Sequence, residues 1–439
     1  METPTLEPRT APAAAEVRLP FRRAAVLGAG TMGAQIAAHL ANAGLQVDLL
    51  DVAPEDIGRD GPPNSLVEQQ FKATTKKKPD PFFSAEAQRR LRLGNFKEHF
   101  ARIGEADWVI EAVVERLDVK RQVMARIEAH AAEDAVISTN TSGIPIAEIA
   151  EGRSEGFRRR LLGTHFFNPP RYLKLLELIP TDDTDPAVLE RVARFGRVHL
   201  GKGIVVANDV PYFVGNRIGT YGMFRGMRYF TEGDYTIEEI DTLTGPLVGH
   251  PKSATFRTAD VVGLDVMRDV ANNLYEKTAH DESRDAFRSP ALLDRLVENG
   301  ALGAKTGAGF YKKEGREIKS INPETGAYES AREQNLPGLS AIWKAGGVED
   351  RMRALFEDDG RAGRFFRETT LDLLGYAARR IPEVTGNPAN VDRAIRWGFA
   401  WQLGPFETWD ALGFERVLEA MQAQGIAVPE WVEQMRAGG

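Results

Sequence analysis

Residues 28–33, which read Gly-Ala-Gly-Thr-Met-Gly, constrain the fold of this chain more than any other feature. A short apolar strand is predicted immediately before them, over 23–27, and an alanine-rich helix immediately after them, over 34–43. A second predicted strand, 46–50, ends at Asp51, about 20 residues after the start of the glycine run. A glycine motif in this strand–loop–helix context is typical of a dinucleotide-binding turn. The pattern therefore predicts a Rossmann-type, doubly wound α/β domain.

Each glycine of this loop has its own predicted role. Gly28 permits the tight turn, Gly30 lets the backbone approach a pyrophosphate, and Gly33 lets helix and strand pack closely. The N-terminus of the helix adds free N–H groups and the positive end of the helix dipole. The Asp51 carboxylate would accept hydrogen bonds from the adenosine ribose and repel a 2′-phosphate, which favours NAD over NADP. The predicted cofactor loop comprises Gly28, Gly30, Thr31, Met32 and Gly33.

Alternating strands and helices continue to about residue 207. Strands are predicted over 108–114 and 135–138, with an amphipathic helix over 117–131 between them. The second of these strands runs into Asn140 and Ser142, and polar residues at the carboxyl ends of parallel strands lie where such sheets bind ligands. Threonine and serine also favour the turn that begins a helix, and both roles can hold at once. We predict that Asn140 and Ser142 face the nicotinamide.

A histidine and a carboxylate flank a predicted turn in the same domain. Strands predicted over 161–167 and 172–179 are separated by residues 168–170, Asn-Pro-Pro, because proline cannot donate to a β-ladder and restricts the residue before it. If these strands pair, His165 and Glu177 lie opposite each other. A carboxylate on one imidazole nitrogen leaves the other nitrogen free to take a proton. From these residues alone, the pair is either structural or a general base with its orienting carboxylate.

Composition excludes several classes of function. The chain has no cysteine, which excludes disulfides and thiolate chemistry, and its seven histidines show no metal-ligand spacing. The net charge of −7 argues against non-specific binding of nucleic acid, and the longest apolar runs are too short to span a bilayer. Residues 1–20 lack a signal-peptide pattern and are predicted to form a disordered tail. We therefore expect a cytoplasmic protein with no metal site.

The segment 55–100 is longer than a usual crossover between two strands. It contains Ser65, Lys72 and three consecutive lysines at 76–78. Such a lysine run is usually a solvated face, but in a chain of net negative charge it could also receive the anionic part of a substrate. Both interpretations remain open at this point.

From residue 208 the pattern becomes mainly helical and repeats once. The two copies share a series of spaced residues: Asp241, Asp260 and Gly263 in the first, and Asp392, Asp410 and Gly413 in the second. We predict two related helical units, over 208–315 and 360–439, with a charged connector over 316–359 that contains Asn-Pro and Pro-Gly breaks. The predicted fold class is α/β plus all-α, with a Rossmann-type domain over 21–207 followed by the two repeated units.

Taken together, these features resemble the 3-hydroxyacyl-CoA dehydrogenase family of fatty-acid β-oxidation, from about residue 21 to residue 431. The doubled helical unit is similar to that of the large multifunctional members, some of which also carry a crotonase-type hydratase/isomerase domain. Six segments carry the resemblance: 28–33, 111–115, 138–142, 165–169 with Glu177, 211–217, and 305–311.

The resemblance implies NAD-dependent oxidation of (S)-3-hydroxyacyl-CoA to 3-oxoacyl-CoA, with His165 and Glu177 as the catalytic dyad. It implies substrate and nicotinamide contacts at Ser142, Asn168 and Asn216. It also implies cofactor contacts at Asp51, Glu115, Lys120, Asn140 and Lys305, and it places Ser65 and Lys72 near the coenzyme A moiety. The partner activities it implies are enoyl-CoA hydratase of the crotonase type, either separate or fused to the chain, and thiolase.

Two departures from the family pattern concern the acyl chain of the substrate. Tyr212 stands where the family usually has glycine, and residues 251–256 replace a Pro-x-Gly-Pro-Phe pattern that the second unit keeps in part at 403–406. Two alternative functions remain: an NAD-linked dehydrogenase of a small free β-hydroxy acid, and a non-catalytic scaffold with an NAD fold. The first would not need the long insertion at 55–100, and the second would not need His165 and its polar neighbours together.

Overall fold

The first half of the chain forms a sheet of eight strands. The computed structural model describes residues 20–233 and 235–438, so the tail predicted over 1–20 lies, except for its last residue, outside the described residues. The strands are β1 (Arg23–Leu27), β2 (Gln46–Asp51), β3 (Leu91–Asn95), β4 (Trp108–Glu111), β5 (Val136–Thr139), β6 (Leu161–Phe166), β7 (Leu175–Pro180) and β8 (Gly203–Val206).

The strand order is β3-β2-β1-β4-β5-β6-β7-β8, and the pairing is parallel except between β6 and β7. Strands β4, β5 and β6 are buried along their whole length, as expected for a parallel sheet covered on both faces. This arrangement confirms the predicted doubly wound domain. The helices of this half are α1 (Thr31–Asn42), α2 (Ser65–Thr74), α3 (Ala85–Arg89), α4 (Leu117–His130), α5 (Ile146–Ile149), α6 (Glu155–Arg158) and α7 (Pro186–Val198).

Three predicted boundaries in this half are wrong by several residues. Helix α1 begins at Thr31 rather than at 34, because the glycine loop leads directly into its first turn. Strand β4 ends at Glu111 rather than at 114. Strand β7 begins at Leu175 rather than at 172, because the N–H groups of Tyr172 and Leu173 bond to the Pro169 carbonyl and extend the turn.

The second half is mainly helical. Among the described residues, no helix is both long enough and apolar enough to cross a bilayer. The helices of the first unit are α8 (Gly215–Thr231), α9 (Ile237–Leu243), α10 (Phe256–Val262), α11 (Leu264–Lys277) and α12 (Ala291–Glu298). Those that follow are α13 (Leu339–Trp343), α14 (Val348–Glu357), α15 (Arg361–Arg379), α16 (Pro388–Gly398), α17 (Pro405–Leu412), α18 (Phe414–Ala423) and α19 (Glu430–Gly438).

A small antiparallel sheet, which we did not predict, lies between the helical units. It consists of β9 (Tyr311–Glu314), β10 (Glu317–Ile321) and β11 (Tyr328–Ser330). Its charged residues, together with turns at Gly315 and Gly326, gave the segment the composition of a loop. The predicted connector over 316–359 is therefore largely structured, and its helix α14 packs on α15 and α17 of the second unit.

The internal repeat is visible in the backbone. Gly263 (φ 107°, ψ 127°) precedes α11, and Gly413 (φ 98°, ψ 123°) precedes α18 in nearly the same conformation. The Asp241 carboxylate accepts the N–H of Phe256 at 2.8 Å, and in the second unit the Asp392 carboxylate accepts the N–H of Phe406 at 2.8 Å. In both copies an aspartate thus fixes the start of the next helix.

A buried network of charges joins the two helical units. Arg217 on α8 donates to Asp281 at 2.6 Å and to the hydroxyl of Tyr376 on α15 at 2.6 Å. Tyr376 also donates to Asp281 at 2.8 Å, and its ring stacks on that of Tyr221 with centroids 3.8 Å apart. The side chains of Arg217 and Asp281 are each 1% exposed. We call Arg217, Asp281 and Tyr376 the inter-unit network.

Candidate functional site

A cleft of about 1180 Å³ lies between the carboxyl ends of the parallel strands and helix α11. The predicted residues that line it come from four different strand ends. They are Gly28, Gly30, Thr31, Met32, Asp51, Glu115, Asn140 and Ser142. The chain thus brings eight of the predicted cofactor residues together, although they span more than a hundred positions of sequence.

The glycine loop fits a bound pyrophosphate. Gly28 has φ +101°, and a Cβ added there would lie 2.4 Å from the Ala112 carbonyl oxygen. A Cβ on Gly33 would lie 1.8 Å from the Gly28 carbonyl oxygen, so helix α1 can approach β1 this closely only without a side chain. At Gly30, by contrast, an added Cβ would meet no atom within 4 Å. The backbone is therefore open toward the cleft at the N-terminus of α1, where phosphates are stabilised by free N–H groups.

Asp51 lies at the end of β2, in the lining of the same cleft. Its carboxylate accepts the N–H of Ala29 at 2.9 Å and that of Val52 at 2.8 Å. Burial raises the pKa of Asp51, and these two N–H groups oppose part of that rise. The Asp51 carboxylate therefore braces the glycine loop from the position where a ribose is expected.

Replacing Asp51 by asparagine should weaken NADH binding about tenfold or more and reduce the preference for NADH over NADPH. A hydrogen bond to a charged acceptor contributes about 1.5–3 kcal/mol, and the neutral amide no longer repels a 2′-phosphate. Fluorescence titration with both nucleotides gives the two dissociation constants. Asp183→Asn, at an exposed ion pair with Arg158, is the control. An unchanged ratio of the two constants would exclude the role of Asp51 in selecting NAD.

Beneath the cleft, Lys120 is held between two carboxylates. Its ammonium, 1% exposed, lies 2.9 Å from Glu111 and 3.2 Å from Glu115. Burial would lower the pKa of Lys120, but the two glutamates outweigh it and raise that pKa. Burial would likewise raise the pKa of Glu115, but Lys120 and the Thr141 hydroxyl hold it below its usual value. Lys120 thus lies under the cleft lining and acts on the cleft through Glu115.

Glu115 in turn orders the loop after β5. Its Oε1 accepts the N–H of Ser142 at 2.9 Å and the hydroxyl of Thr141 at 2.5 Å. The side-chain oxygen of Asn140 accepts the N–H of Phe166 at 3.0 Å, next to His165. Asn140 therefore connects the cleft lining to the strand that carries the histidine.

His165 and Glu177 are directly opposed in the register of β6 and β7, as predicted. His165 Nδ1 lies 2.7 Å from Glu177 Oε2, and the two side chains are 4% and 0% exposed. The other oxygen, Glu177 Oε1, accepts the N–H of Val214 at 3.1 Å and that of Gly215 at 2.8 Å. Because Gly215 begins α8, the carboxylate also lies at the positive end of a helix dipole. Glu177 is thus fixed on both sides, with its charge stabilised.

Two aromatic rings pack near this dyad, and the two predicted asparagines lie on the chain segments that follow β6 and begin α8. The ring of Phe167 lies 4.6 Å from that of His165, and the ring of Phe213 lies 5.6 Å from it. Asn216 is the second residue of α8, immediately after the N–H that holds Glu177. Asn168 is exposed after β6, and its side-chain oxygen accepts from Gln35 of α1 at 3.2 Å.

Eight residues predicted from the resemblance are not part of the cleft lining: Ser65, Lys72, Lys120, His165, Asn168, Glu177, Asn216 and Lys305. Lys305 pairs with Asp265 at 2.5 Å, close to the start of α11. Ser65 is the first residue of α2, and Lys72 is exposed on the same helix. Among the described residues, no group of three or more histidine, aspartate and glutamate side chains is arranged to hold a metal ion.

The wall of the cleft that faces the sheet was not predicted from the sequence. Helix α11 contributes Val266, Asp269, Val270, Asn273 and Glu276, whose spacing of three and four residues marks one helical face. Tyr212 lies between this helix and the sheet, at φ +64°, and an added Cβ on Gly143 would lie 2.7 Å from its ring. Burial raises the pKa of Tyr212. The departure at position 212 therefore places a large ring inside the cleft.

Comparison with known proteins gives the same family that the sequence motifs resemble. The family model of the 3-hydroxyacyl-CoA dehydrogenase NAD-binding domain matches residues 23–210, and that of the C-terminal domain matches residues 213–313. A probable 3-hydroxyacyl-CoA dehydrogenase from Deinococcus radiodurans is 46% identical over 294 residues, covering 67% of this chain and 83% of that protein. The chain belongs to the 3-hydroxyacyl-CoA dehydrogenase family. Residues 23–210 are the NAD-binding domain of this family, so NAD is the cofactor.

Two further relatives show how much of their length this chain matches. A probable 3-hydroxyacyl-CoA dehydrogenase from Bacillus subtilis is 44% identical over 94% of this chain, but the chain spans only about half (54%) of that relative's length. The solved structure of 3-hydroxybutyryl-CoA dehydrogenase from Escherichia coli K12 shares the fold, with a TM-score of 0.68 and 21% identity. The match covers 94% of the present chain and 98% of the Escherichia coli protein, so the similarity of fold extends through the second helical unit.

Proposed function

We propose that this chain oxidises (S)-3-hydroxyacyl-CoA to 3-oxoacyl-CoA, with His165 as general base and Glu177 as its orienting carboxylate. The observation that carries the proposal is the 2.7 Å hydrogen bond between His165 Nδ1 and Glu177, beside the cofactor cleft. Glu177 also accepts two backbone N–H groups, which hold the carboxylate in place opposite His165. The ionised carboxylate accepts from Nδ1–H, so Nε2 is the nitrogen that takes a proton.

Each residue of the site has its own proposed role in the reaction. Bound NAD supplies the hydride acceptor, the C4 atom of its nicotinamide. The Nε2 atom of His165 takes the proton of the substrate's 3-hydroxyl, and Glu177 stabilises the imidazolium that forms. Ser142 and Asn216 hold the oxygen that is being oxidised, while Asn168 positions the thioester region. Phe167 and Phe213 exclude water from His165, which strengthens these polar interactions.

The proposed place of the reaction is fatty-acid β-oxidation. The relatives carry 3-hydroxyacyl-CoA in their names, and the Bacillus subtilis relative is almost twice as long as the region that this chain matches. The substrate would arise by hydration of an enoyl-CoA and the product would be cleaved by a thiolase. We infer that a crotonase-type hydratase and a thiolase are the partner activities, and that longer members can carry the hydratase on the same chain.

The direct test is oxidation of NADH in the presence of acetoacetyl-CoA, followed by the loss of absorbance. Turnover with acetoacetyl-CoA but not with free acetoacetate is expected, because the thioester and coenzyme A are part of the recognised substrate. Turnover with the free acid alone would indicate the small β-hydroxy acid dehydrogenase. No turnover with either compound, beside an active control enzyme, would favour the scaffold function.

A further inference from the structure

A second cavity, of about 100 Å³, lies between the two helical units. Its walls come from α8 and the loop before α10 in the first unit, and from α15 and the loop before α17 in the second. Met223, Leu373, Leu374 and Trp401 are among the side chains that line it. Gly222 and Gly226 lie four residues apart on the face of α8 that borders the cavity.

Three of the threonines around this cavity have hydroxyls that are already paired. Thr244 donates to the Ile240 carbonyl at 2.8 Å, and Thr255 donates to the Thr244 hydroxyl at 2.9 Å. Thr369 donates to the Phe365 carbonyl at 2.8 Å. With their hydroxyls bonded elsewhere, these threonines offer mainly methyl groups to the interior. The cavity therefore favours an apolar ligand, since unpaired polar groups would be needed to hold water.

Contacts between aromatic rings connect this cavity to the catalytic dyad. Phe399 lines the cavity, and its ring lies 6.3 Å from that of Phe167, which packs on His165 at 4.6 Å. Phe399 also packs directly on Gly219 of α8. Asn216 and Met223 are two turns apart on one face of this helix, or about 10 Å along its axis. The cavity thus begins within a few side chains of the position proposed for the 3-hydroxyl.

The cavity is nearest to solvent at one end. Gly222, Met223, Phe399 and Trp401 are all partly exposed, whereas Leu374 and Gly226 at the inner end are buried. Phe399, which contacts Phe167, lies at this partly exposed end.

We propose that this cavity binds the apolar end of the substrate's acyl chain and so sets a preference for acyl chains longer than four carbons. The inference rests on the proposed function, because it takes the acyl-CoA as the molecule held by the dyad. An acyl tail fits better than a separate apolar ligand, since Phe399 in the cavity wall contacts Phe167, which packs on His165. Burying one methylene group contributes about 0.8 kcal/mol, or roughly fourfold in kcat/KM, for each carbon that enters the cavity.

Filling the cavity from α8 tests this inference. A Cβ on Gly222 would lie 3.5 Å from Leu373, which is ordinary contact, so Gly222→Ala is a matched control that leaves the cavity open. Gly222→Leu adds three further carbons directed into it. With 3-oxohexadecanoyl-CoA, Gly222→Leu should lower kcat/KM for NADH oxidation at least tenfold. With acetoacetyl-CoA, both variants should stay within about twofold of the unchanged chain, which also shows that they fold.

Equal losses on both substrates, or no loss on the long one, would overturn the inference. A second measurement separates its failure from failure of the proposed function. Trp401 lines the cavity and stacks on His250, with ring centroids 3.6 Å apart, so its fluorescence reports on occupancy. Hexadecanoyl-CoA but not acetyl-CoA should change the emission, and Trp401→Phe should remove that change. If no acyl-CoA supports turnover, the proposed function fails, while an unchanged emission with hexadecanoyl-CoA rejects the cavity site.

Discussion

Replacing His165 by alanine should lower kcat with acetoacetyl-CoA by at least about 100-fold, because a positioned base contributes about 10²–10⁴-fold to such a reaction. NADH binding should persist, since the glycine loop and Asp51 belong to other strand ends than His165. Steady-state kinetics and a fluorescence titration with NADH measure the two effects separately. His280→Ala, at an exposed histidine after α11, is the matched control and should leave both values unchanged.

A purely structural His–Glu pair would give a different result. His165→Ala would then lower thermal stability and turnover together, and turnover measured on the folded fraction would be near normal. Glu177→Gln adds a finer test, because the amide still accepts the Val214 and Gly215 N–H groups but no longer stabilises an imidazolium. We expect Glu177→Gln to lower kcat while the midpoint of thermal unfolding changes little.

Replacing Asp281 by alanine should lower the free energy of unfolding by about 3–5 kcal/mol, the usual cost of breaking a buried ion pair. Arg217, 1% exposed, would keep its charge and lose its buried carboxylate partner, with only the partly exposed Glu383 remaining, and Tyr376 would lose its acceptor. Denaturation with urea, followed by circular dichroism, gives the change. Glu349→Ala breaks an exposed pair with Arg353 and is the control, expected to cost about 1 kcal/mol or less.

A loss of less than 1 kcal/mol for Asp281→Ala would contradict this account of the inter-unit network. It would mean that water or Glu383, which lies 3.2 Å from Arg217, takes over the role of the missing carboxylate. Glu383 is partly exposed, at 37%, so we expect it to compensate weakly. The double variant Asp281→Ala with Glu383→Ala distinguishes these cases, because compensation by Glu383 would make its loss of stability larger than the sum of the losses of the two single variants.

Local chemistry made the NAD-binding domain predictable from sequence. Apolar runs of four to six residues, each ended by a polar residue or by glycine, mark buried parallel strands. The position of Asp51 followed from the same rule, because the carboxyl end of β2 is fixed relative to the glycine loop. The pairing of His165 with Glu177 was predictable because two short strands around one turn allow few registers.

The rest of the site depends on contacts between distant segments. The N–H groups of Val214 and Gly215 reach Glu177 only because α8 begins against the sheet, 37 and 38 residues further along the chain. Lys120 falls in the predicted helix 117–131, where a lysine is usually solvated, yet it is buried because it pairs with Glu111 at the end of the neighbouring strand. The strands β9 to β11 were missed because charged side chains hid a weak alternation. No pattern within a single segment specifies such pairings.

The inter-unit network also limits how this sequence can change over evolutionary time. Arg217 lies two residues after Gly215, whose N–H holds Glu177, and its guanidinium is fixed by Tyr376 of the second unit. A mutation at Tyr376 would disturb α8 at the turn that holds the Glu177 carboxylate, about 160 residues earlier in the chain. Lineages that exchange or remodel the second unit should therefore show correlated substitution at Arg217, Asp281 and Tyr376. The second unit can therefore change at other positions, but its residue at 376 is expected to change only together with Arg217 and Asp281.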